Sequence, residues 1–171
     1  MAVSFLEEAH PDLISMQRTL TLTALIGVPL IALDQWTKAL ITAWLKLGDS
    51  VPITSFFNLV LVYNKGAAFS FLSDAGGWQR PFFIGLTCIA LIAMAWMLVK
   101  YRAETVFRWG LMLVVAGAIG NLIDRVRLGQ VVDFLDFHAG GWHFWAFNVA
   151  DSAITVGAAL LIIDSFFGKK A

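Results

Sequence analysis

The chain is poor in charged residues and almost free of cysteine. Only 14% of its 171 residues are Asp, Glu, Lys or Arg, against about 25% in soluble domains. The 12 basic and 12 acidic residues balance, which gives no sign of the basic surface that nucleic-acid-binding proteins carry. The single cysteine, Cys88, excludes an internal disulfide and a cysteine-rich metal site. Its apolar neighbours favour a buried, unreactive thiol.

Apolar residues are abundant instead. They make up 59% of the 171 residues, which is more than the interior of a soluble domain of this size can accommodate. Such a composition also excludes a disordered chain, so we expect a membrane protein. A membrane-spanning helix needs about 20 largely apolar residues. The segments that meet this requirement are 20–44, 81–99, 106–123 and 144–167.

The remaining segments differ in character. Residues 1–18 are mixed and acidic, without the basic start and cleavage site of a secretory signal, so we expect a short tail before a single domain at 19–171. Residues 48–74 are rich in Val, Phe, Ile and Thr and contain turn residues, which is typical of short strands. The density of Lys and Arg in 100–108 and near both termini predicts that these parts are cytoplasmic.

Several ionisable residues fall within the predicted spans, where each is a functional hypothesis because burial in lipid is costly. Asp34 and Lys38 are four residues apart on one face of the first span, and we interpret them as a structural ion pair. In the third span, Asp124 precedes Arg125 and Asn121 lies on the same face. We interpret Asp124 as the partner that holds Arg125 rather than as an acid–base group.

The fourth span carries a polar stripe at helical spacing, formed by Asn148, Asp151, Ser152 and Thr155. Asp151 has no basic residue within a turn on either side, so it is protonated, shares a proton with a second acid, or is a structural acid bonded to Ser, Thr and Asn. Asp133 is the available second acid, and both can converge at the mouth of the bundle. Two carboxylates at close range cannot both ionise, so one can act as acid and the other as base. Such a pair can activate water against a peptide carbonyl without a metal ion.

The same residues leave other classes of protein open. Candidate ligands of a divalent metal ion are Asp133, Asp136, His138 and His143, although their spacing matches no zinc pattern. Ser152 with either histidine could form a Ser–His pair, but no nucleophile-elbow sequence surrounds it. A proton-coupled carrier also needs buried acids, but usually shows repeats and more than four spans. A membrane scaffold, in which the polar residues only hold helices together, is the non-enzymatic alternative.

Five motifs follow one another along the chain: LDQWTK (33–38), YNKGAAFSFL (63–72), GNLIDR (120–125), VVDF (131–134) and FNVADS (147–152). In order and spacing they resemble the motifs of the bacterial lipoprotein signal peptidases, the signal peptidase II family of integral membrane aspartic proteases. The resemblance covers about residues 20–168. Members of this family remove the signal peptide of prolipoproteins, on the amino side of a cysteine that carries diacylglycerol.

The resemblance implies roles for individual residues. The aspartates of the last two motifs, Asp133 and Asp151, would be the catalytic pair. The residues that support the pair or bind substrate would be Asn64, Gly66, Asn121, Asp124, Arg125 and Asn148. The first motif contains Asp34 and Lys38, to which we assign the structural role. The histidines are not part of the family pattern, which weakens the metal hypothesis, and the resemblance implies no cofactor.

The resemblance also implies an architecture and surroundings. The fold would be an all-α membrane protein, a bundle of four transmembrane helices with a small extracytoplasmic β-sheet at 48–74 and a mobile outer-loop flap near 134–146. It would lie in the bacterial inner membrane, with both termini cytoplasmic and the site toward the periplasmic face. The expected partners are membrane lipid, a diacylglyceryl-prolipoprotein and a globomycin-type inhibitor. A four-helix bundle of this kind can work as a monomer.

Overall fold

The described part of the chain folds into four long helices and four short strands. The structure, a computed structural model, describes residues 2–66, 77–101 and 105–168, with side chains from residue 16 onward. In chain order the elements are α1 (Ala2–Trp44), β1 (Ser50–Thr54), β2 (Phe57–Asn64), α2 (Gln79–Lys100), α3 (Thr105–Leu128), β3 (Val131–Ala139), β4 (Trp142–His143) and α4 (Val149–Phe167). Each helix contains a stretch long and apolar enough to cross a membrane, which in α1 is Met16–Trp44. The prediction of four apolar helices is therefore confirmed.

Two helices extend beyond their predicted ends. Residues 2–18, which we expected to form a tail, continue α1 without a break, because Ala, Leu and Glu in this segment favour helix. Helix α3 runs on past 123 to Leu128. It ends there because Gly129 takes a positive φ of 76°, the left-handed conformation that commonly terminates a helix.

Helix α4 starts later than predicted, at Val149 rather than at 144. Asn148 is its N-cap, with its side-chain oxygen accepting a hydrogen bond from the backbone N–H of Asp151 at 2.9 Å. Residues before the cap do not continue the helix, because Phe147 forms a β-bridge with Leu135. A capping Asn is a strong helix start, and it places Asp151 in the first turn of α4.

The strands form one antiparallel sheet in the order β1-β2-β3-β4. Strands were predicted within 48–74, and β1 and β2 confirm this, while residues 67–74 lie outside the described residues. The segment 134–146, expected to be a loop, is instead mostly a hairpin of β3 and β4. Its turn uses Gly140 and Gly141, both with positive φ (57° and 83°), which glycine adopts without steric cost.

A β-bulge interrupts the pairing of β2 with β3. Leu59 lies opposite Leu135 and Val62 lies opposite Asp133, so β2 carries one extra residue over this interval. Residues directly opposite one another share a face, and successive residues alternate between faces. The bulge therefore brings Asn64 to the face of Asp133.

Helix α3 packs closely against α4 through small residues. A Cβ atom at Gly110 would lie 2.9 Å from the carbonyl oxygen of Gly157, and one at Gly117 would collide with the carbonyl oxygen of Ala150. Small residues let membrane helices approach in this way, and the contact fixes the first turn of α4 against α3. Cys88 is exposed on the outside of α2, contrary to the predicted burial, because few residues of this peripheral helix face the bundle.

Candidate active site

Asp133 and Asp151 line the same cavity although they lie on different elements. Asp133 projects from β3 and Asp151 from the first turn of α4. The cavity has a volume of about 1080 Å³ and opens at the end of the bundle where the sheet meets the helices. Its polar lining includes Asn64, Asn121 and Arg125. The structure thus brings together the two acids that the sequence analysis paired.

Asparagine side chains hold both carboxylates. Asn64 Nδ2 donates to Asp133 Oδ2 at 3.1 Å, and Asn148 Nδ2 donates to Asp133 Oδ1 at 2.7 Å. Asn121 Nδ2 donates to Asp151 Oδ1 at 2.7 Å. Because Asn148 also caps the backbone of Asp151, this one fully buried side chain touches both acidic residues. Three of the predicted supporting residues, Asn64, Asn121 and Asn148, therefore contact the pair.

Asp133 has the electrostatics of a group that gains and loses protons near neutrality. Burial raises its pKa from 3.8 to about 7, and the neighbouring carboxylate of Asp151 acts in the same direction. The hydrogen bonds from Asn64 and Asn148 and the charge of Lys38 work against this rise. Perturbed pKa values of this kind are found where acid–base chemistry takes place. The pair can hold one proton between its two members.

Asp34 and Lys38 are in contact, as their spacing predicts, with Lys38 Nζ 2.9 Å from Asp34 Oδ2. Asp124 attracts Arg125 electrostatically, as predicted, but its side chain is held by α1. Asp124 Oδ2 lies 2.8 Å from Lys38 Nζ, and Asp124 Oδ1 accepts a hydrogen bond of 2.9 Å from Gln35. Adjacent residues on a helix do not face one another, so Asp124 points to α1. Gln35 had no predicted role, although its place beside Asp34 within a span was a signal.

Arg125 lies at the cavity and is directed toward the acids. Its Nη2 atom donates to the carbonyl oxygen of Gly66 at 3.2 Å, and its guanidinium interacts electrostatically with Asp151 and Asp133. Gly66 also donates its backbone N–H to Asn64 Oδ1 at 3.0 Å. Gly66 therefore connects Arg125 with Asn64, both of which line the cavity.

The four candidate metal ligands do not converge. Asp136 accepts hydrogen bonds from Asn58 at 2.8 Å and from His143 at 2.9 Å, three residues further along β3 than Asp133. The rings of His138 and His143 stack with their centroids 5.0 Å apart. Among the described residues, no group of three or more His, Cys, Asp and Glu side chains is placed to hold a metal ion.

The Ser–His alternative is not supported by the contacts of Ser152. Its hydroxyl donates to the backbone carbonyl of Asn148 at 2.9 Å, one turn back along α4. The histidines are engaged elsewhere, since His143 contacts Asp136 and pairs with His138 across the hairpin. A serine that bonds its own helix in this way is common in spans.

The fold and the site together define a class of protein. It is a membrane protein with four apolar helices, and at one end of the bundle two carboxylates, each hydrogen-bonded to asparagine, line one cavity. Comparisons with known proteins place it more narrowly. The model of the family described as Signal peptidase (SPase) II matches residues 26–167. The chain belongs to the signal peptidase II family, whose members are membrane peptidases.

Individual relatives agree with the family match. The chain is 54% identical over 134 residues to the lipoprotein signal peptidase of Cupriavidus taiwanensis, covering 78% of this chain and 76% of the relative. It is 55% identical over 139 residues to that of Ralstonia nicotianae, covering 81% and 80%. A solved bacterial membrane enzyme, determined by the in meso method, superposes with a TM-score of 0.78 at 37% identity, over 88% of this chain and 92% of the other. The resemblance noted from the motifs is confirmed.

Proposed function

We propose that the protein is a lipoprotein signal peptidase that uses Asp133 and Asp151 as an acid–base pair. It would remove the signal peptide from a diacylglyceryl-modified prolipoprotein, immediately before the lipidated cysteine. The observation that carries the proposal is that two acids from separate elements line one cavity and are joined through Asn148. The relatives in Cupriavidus and Ralstonia bear the name of this activity.

The reaction is a hydrolysis in two steps. One carboxylate takes a proton from water, and the water oxygen bonds to the scissile carbonyl carbon. The other, protonated carboxyl donates to the developing oxyanion. When the C–N bond breaks, the amine leaves with a proton from the pair, so that the products are a carboxylic acid and an amine. With the pKa of Asp133 raised to about 7, the required single protonation of the pair is accessible near neutral pH, and it belongs to the pair as a whole.

The surrounding residues orient the participants. Asn64, Asn121 and Asn148 hold the carboxylates by the hydrogen bonds already described. Arg125, whose guanidinium carries five N–H donors, positions a backbone carbonyl of the substrate next to Gly66. Fixing both reacting groups in this way removes much of the entropic part of the barrier.

The cavity suits a substrate that is part lipid and part peptide. Apolar side chains line it beside the acids, among them Phe144, Trp145, Ile154 and Val156. The acyl chains of the substrate remain in the membrane along this apolar wall, while the scissile bond reaches the acids. A globomycin-type inhibitor would occupy the same cavity and compete with the substrate.

The placement in the cell follows from the spans and charges. Four spans put both termini on one side, and Lys100 and Arg108 lie at the bundle end opposite the acids. Under the positive-inside rule these charges support a cytoplasmic position for that end and the termini, with the sheet and site at the outer face of the inner membrane. The hairpin of β3 and β4 continues into cavity residues 143–147, so we assign it as a mobile flap over bound substrate in a monomeric enzyme.

The test is cleavage of a purified diacylglyceryl-prolipoprotein, followed by gel shift, with chelator present throughout. Asp133→Asn and Asp151→Asn should each reduce turnover by about 10³-fold or more. The matched control is Asp164→Asn, on the same helix as Asp151 and about 20 Å further along its axis, which should cleave at the wild-type rate. Retained turnover in either site variant would overturn the acid–base pair. If wild type fails to cleave in chelator but cleaves once metal is added in excess, a metal mechanism would replace the acid–base pair.

A further inference from the structure

A buried ion cluster lies directly behind the two acids. Lys38 is 3% exposed and Asp34 1%, and Asp124 completes the cluster with Lys38 Nζ between the two carboxylates, at 2.9 Å and 2.8 Å. Gln35 Nε2 donates to both carboxylates, at 3.2 Å to Asp34 and 2.9 Å to Asp124. Removing three charges from water is costly, and an apolar contact can hold two helices equally well. The cluster therefore invites an explanation beyond helix packing.

Each carboxylate of the cluster holds the backbone next to one catalytic acid. Asp34 Oδ1 accepts the backbone N–H of Ala150 at 2.9 Å, and Ala150 immediately precedes Asp151. Asp124 Oδ2 accepts the backbone N–H of Val132 at 3.2 Å, and Val132 immediately precedes Asp133. The two carboxylates on Lys38 are thus attached to the two segments of chain that carry the reacting groups.

Lys38 makes a third contact that reaches the acids through a side chain. Its Nζ donates to Asn121 Oδ1 at 3.0 Å, and Asn121 Nδ2 donates to Asp151 Oδ1 at 2.7 Å. Because the cation occupies the amide oxygen, the amide nitrogen of Asn121 must point to Asp151. Lys38 therefore fixes both the place and the orientation of a partner of Asp151.

From these contacts we propose that Lys38, Asp34 and Asp124 form a positioning clamp that sets the separation of the catalytic carboxylates and the charge they experience. The clamp residues are positioning residues, since they act through Ala150, Val132 and Asn121. The inference rests on the proposed function, because it assigns a purpose in catalysis to residues that the sequence analysis interpreted as structural.

The clamp has an electrostatic consequence that simple helix packing lacks. The charged groups facing Asp133 are Asp151 from α4, Lys38 from α1 and Arg125 from α3, while β2 contributes the neutral Asn64. The positive charge of Lys38 lowers the pKa of Asp133. Loss of that charge must therefore move the pH dependence of the reaction upward, whereas a purely structural contact would scale activity equally at every pH.

The experiment compares Lys38→Met with Lys38→Arg in the full-length protein, using cleavage of diacylglyceryl-prolipoprotein between pH 5 and 9. In Lys38→Met we expect the acid limb of kcat to move up by about one pH unit, with kcat at least about tenfold lower and KM unchanged. Lys38→Arg keeps the charge but not the three short contacts to Asp34, Asp124 and Asn121. The acid limb of its kcat profile should therefore stay at the wild-type pH while kcat falls. Lys100→Met, which removes a cation at the far end of α2, is the matched control and should match wild type.

A second variant covers the case in which Lys38→Met does not fold. The clamp carries a net charge of −1 (one Lys, two Asp), and Lys38→Met combined with Asp34→Asn also leaves −1 on Asp124. This double variant avoids two unpaired buried carboxylates, and the amide introduced by Asp34→Asn retains an oxygen for the N–H of Ala150. Its acid limb should return to the wild-type position while kcat remains low. If the pH profile of kcat in Lys38→Met superimposes on that of wild type after its amplitude is scaled, the clamp is only a structural contact.

A measurement without substrate separates the clamp from the proposed function. The infrared C=O stretch of protonated Asp133, identified as the band absent from Asp133→Asn, is titrated in wild type and in Lys38→Met. The midpoint should rise by about one pH unit in Lys38→Met. If the midpoint rises in Lys38→Met but the wild-type protein does not cleave prolipoprotein, the proposed function is contradicted and the clamp remains supported. A cleaving wild type with an unshifted band would overturn the clamp alone.

Discussion

Strand β3 carries two aspartates three residues apart, Asp133 and Asp136, whose pKa values are shifted in opposite directions. Each accepts a hydrogen bond from an asparagine of β2, Asp133 from Asn64 at 3.1 Å and Asp136 from Asn58 at 2.8 Å. Both are buried. Yet the pKa of Asp133 is raised to about 7, whereas the pKa of Asp136 lies below its ordinary value.

The depth of burial and the neighbouring charged group together account for the difference. Burial acts to raise the pKa of Asp136, but the hydrogen bonds from Asn58 and His143 and the charge of the imidazole outweigh it. At Asp133 burial is the larger effect, and the neighbour is a second carboxylate, Asp151, which adds to it. An amide partner on each acid thus leaves the outcome open, and the depth of burial together with the neighbouring charge decides which aspartate can serve as a proton donor near neutrality.

The largest contrast should appear in catalysis. We expect Asp136→Asn to retain prolipoprotein cleavage within about tenfold of wild type, since Asp136 takes no part in the proton transfers, while Asp133→Asn loses about 10³-fold or more. The measurement is kcat/KM for both variants at the same pH. Equal losses would mean that the different proton affinities have no bearing on the reaction.

The next contrast concerns stability as a function of pH. With a raised pKa, Asp133 makes the folded state bind more protons than the unfolded state between about pH 4 and pH 7, so stability falls as pH rises through that window. The change in free energy of unfolding caused by Asp133→Asn should therefore be more stabilising at pH 8 than at pH 4, by on the order of 1 to 4 kcal/mol. Thermal unfolding in detergent micelles at both pH values measures this difference.

Asp136→Asn should behave in the opposite sense in the same unfolding experiment. Because its folded pKa is depressed, the ionised carboxylate adds stability above its unfolded pKa of about 4, and this is lost as the pH falls through the folded value. The variant should be destabilised at pH 6 and approach wild type in strong acid. If the effects of Asp133→Asn and Asp136→Asn on stability changed in the same direction with pH, the contrast between the two aspartates would be contradicted.

The two asparagines of β2 offer a smaller, matched comparison. Asn64→Ala removes a hydrogen bond that lowers the pKa of Asp133, so the pH profile of cleavage should move upward with a loss of about tenfold or less. Asn58→Ala removes one of two donors to Asp136 Oδ2, of which the other is His143, and should cost about 0.5 to 1.5 kcal/mol of stability, with the pH profile of cleavage unchanged. A shifted pH profile in Asn58→Ala would show that Asp136 and Asp133 are coupled.

The smallest effect is expected from His143→Gln. The histidine side chain is 55% exposed, so solvent screens its attraction to Asp136 and the loss of stability should stay below about 1 kcal/mol. Urea unfolding of His143→Gln and wild type at the same pH measures it. A loss of several kcal/mol would mean that His143 anchors the hairpin.

The sequence was sufficient for what depends on local pattern. Apolar runs predicted the four spans, and the unpaired acid of α4 pointed to Asp133 as its partner. It was not sufficient where contacts cross between elements. Asp124 was matched with its neighbour Arg125, but its partner Lys38 lies on another helix, and no spacing along one helix indicates such a contact. Strand β3 was missed because its hydrogen bonds depend on β2, nearly 70 residues earlier in the chain.

The bulge in β2 means that the site depends on chain length as well as on residue identity. Asn58 and Asn64 are separated by an even number of positions and would share a face in a regular strand, while Asp133 and Asp136 are separated by an odd number. The extra residue between Leu59 and Val62 reconciles the two counts. Deleting one residue there would turn Asn64 away from Asp133, although every catalytic and supporting side chain would still be encoded. A substitution at Val60 would leave that match intact, so this stretch should tolerate replacement far better than it tolerates a gap.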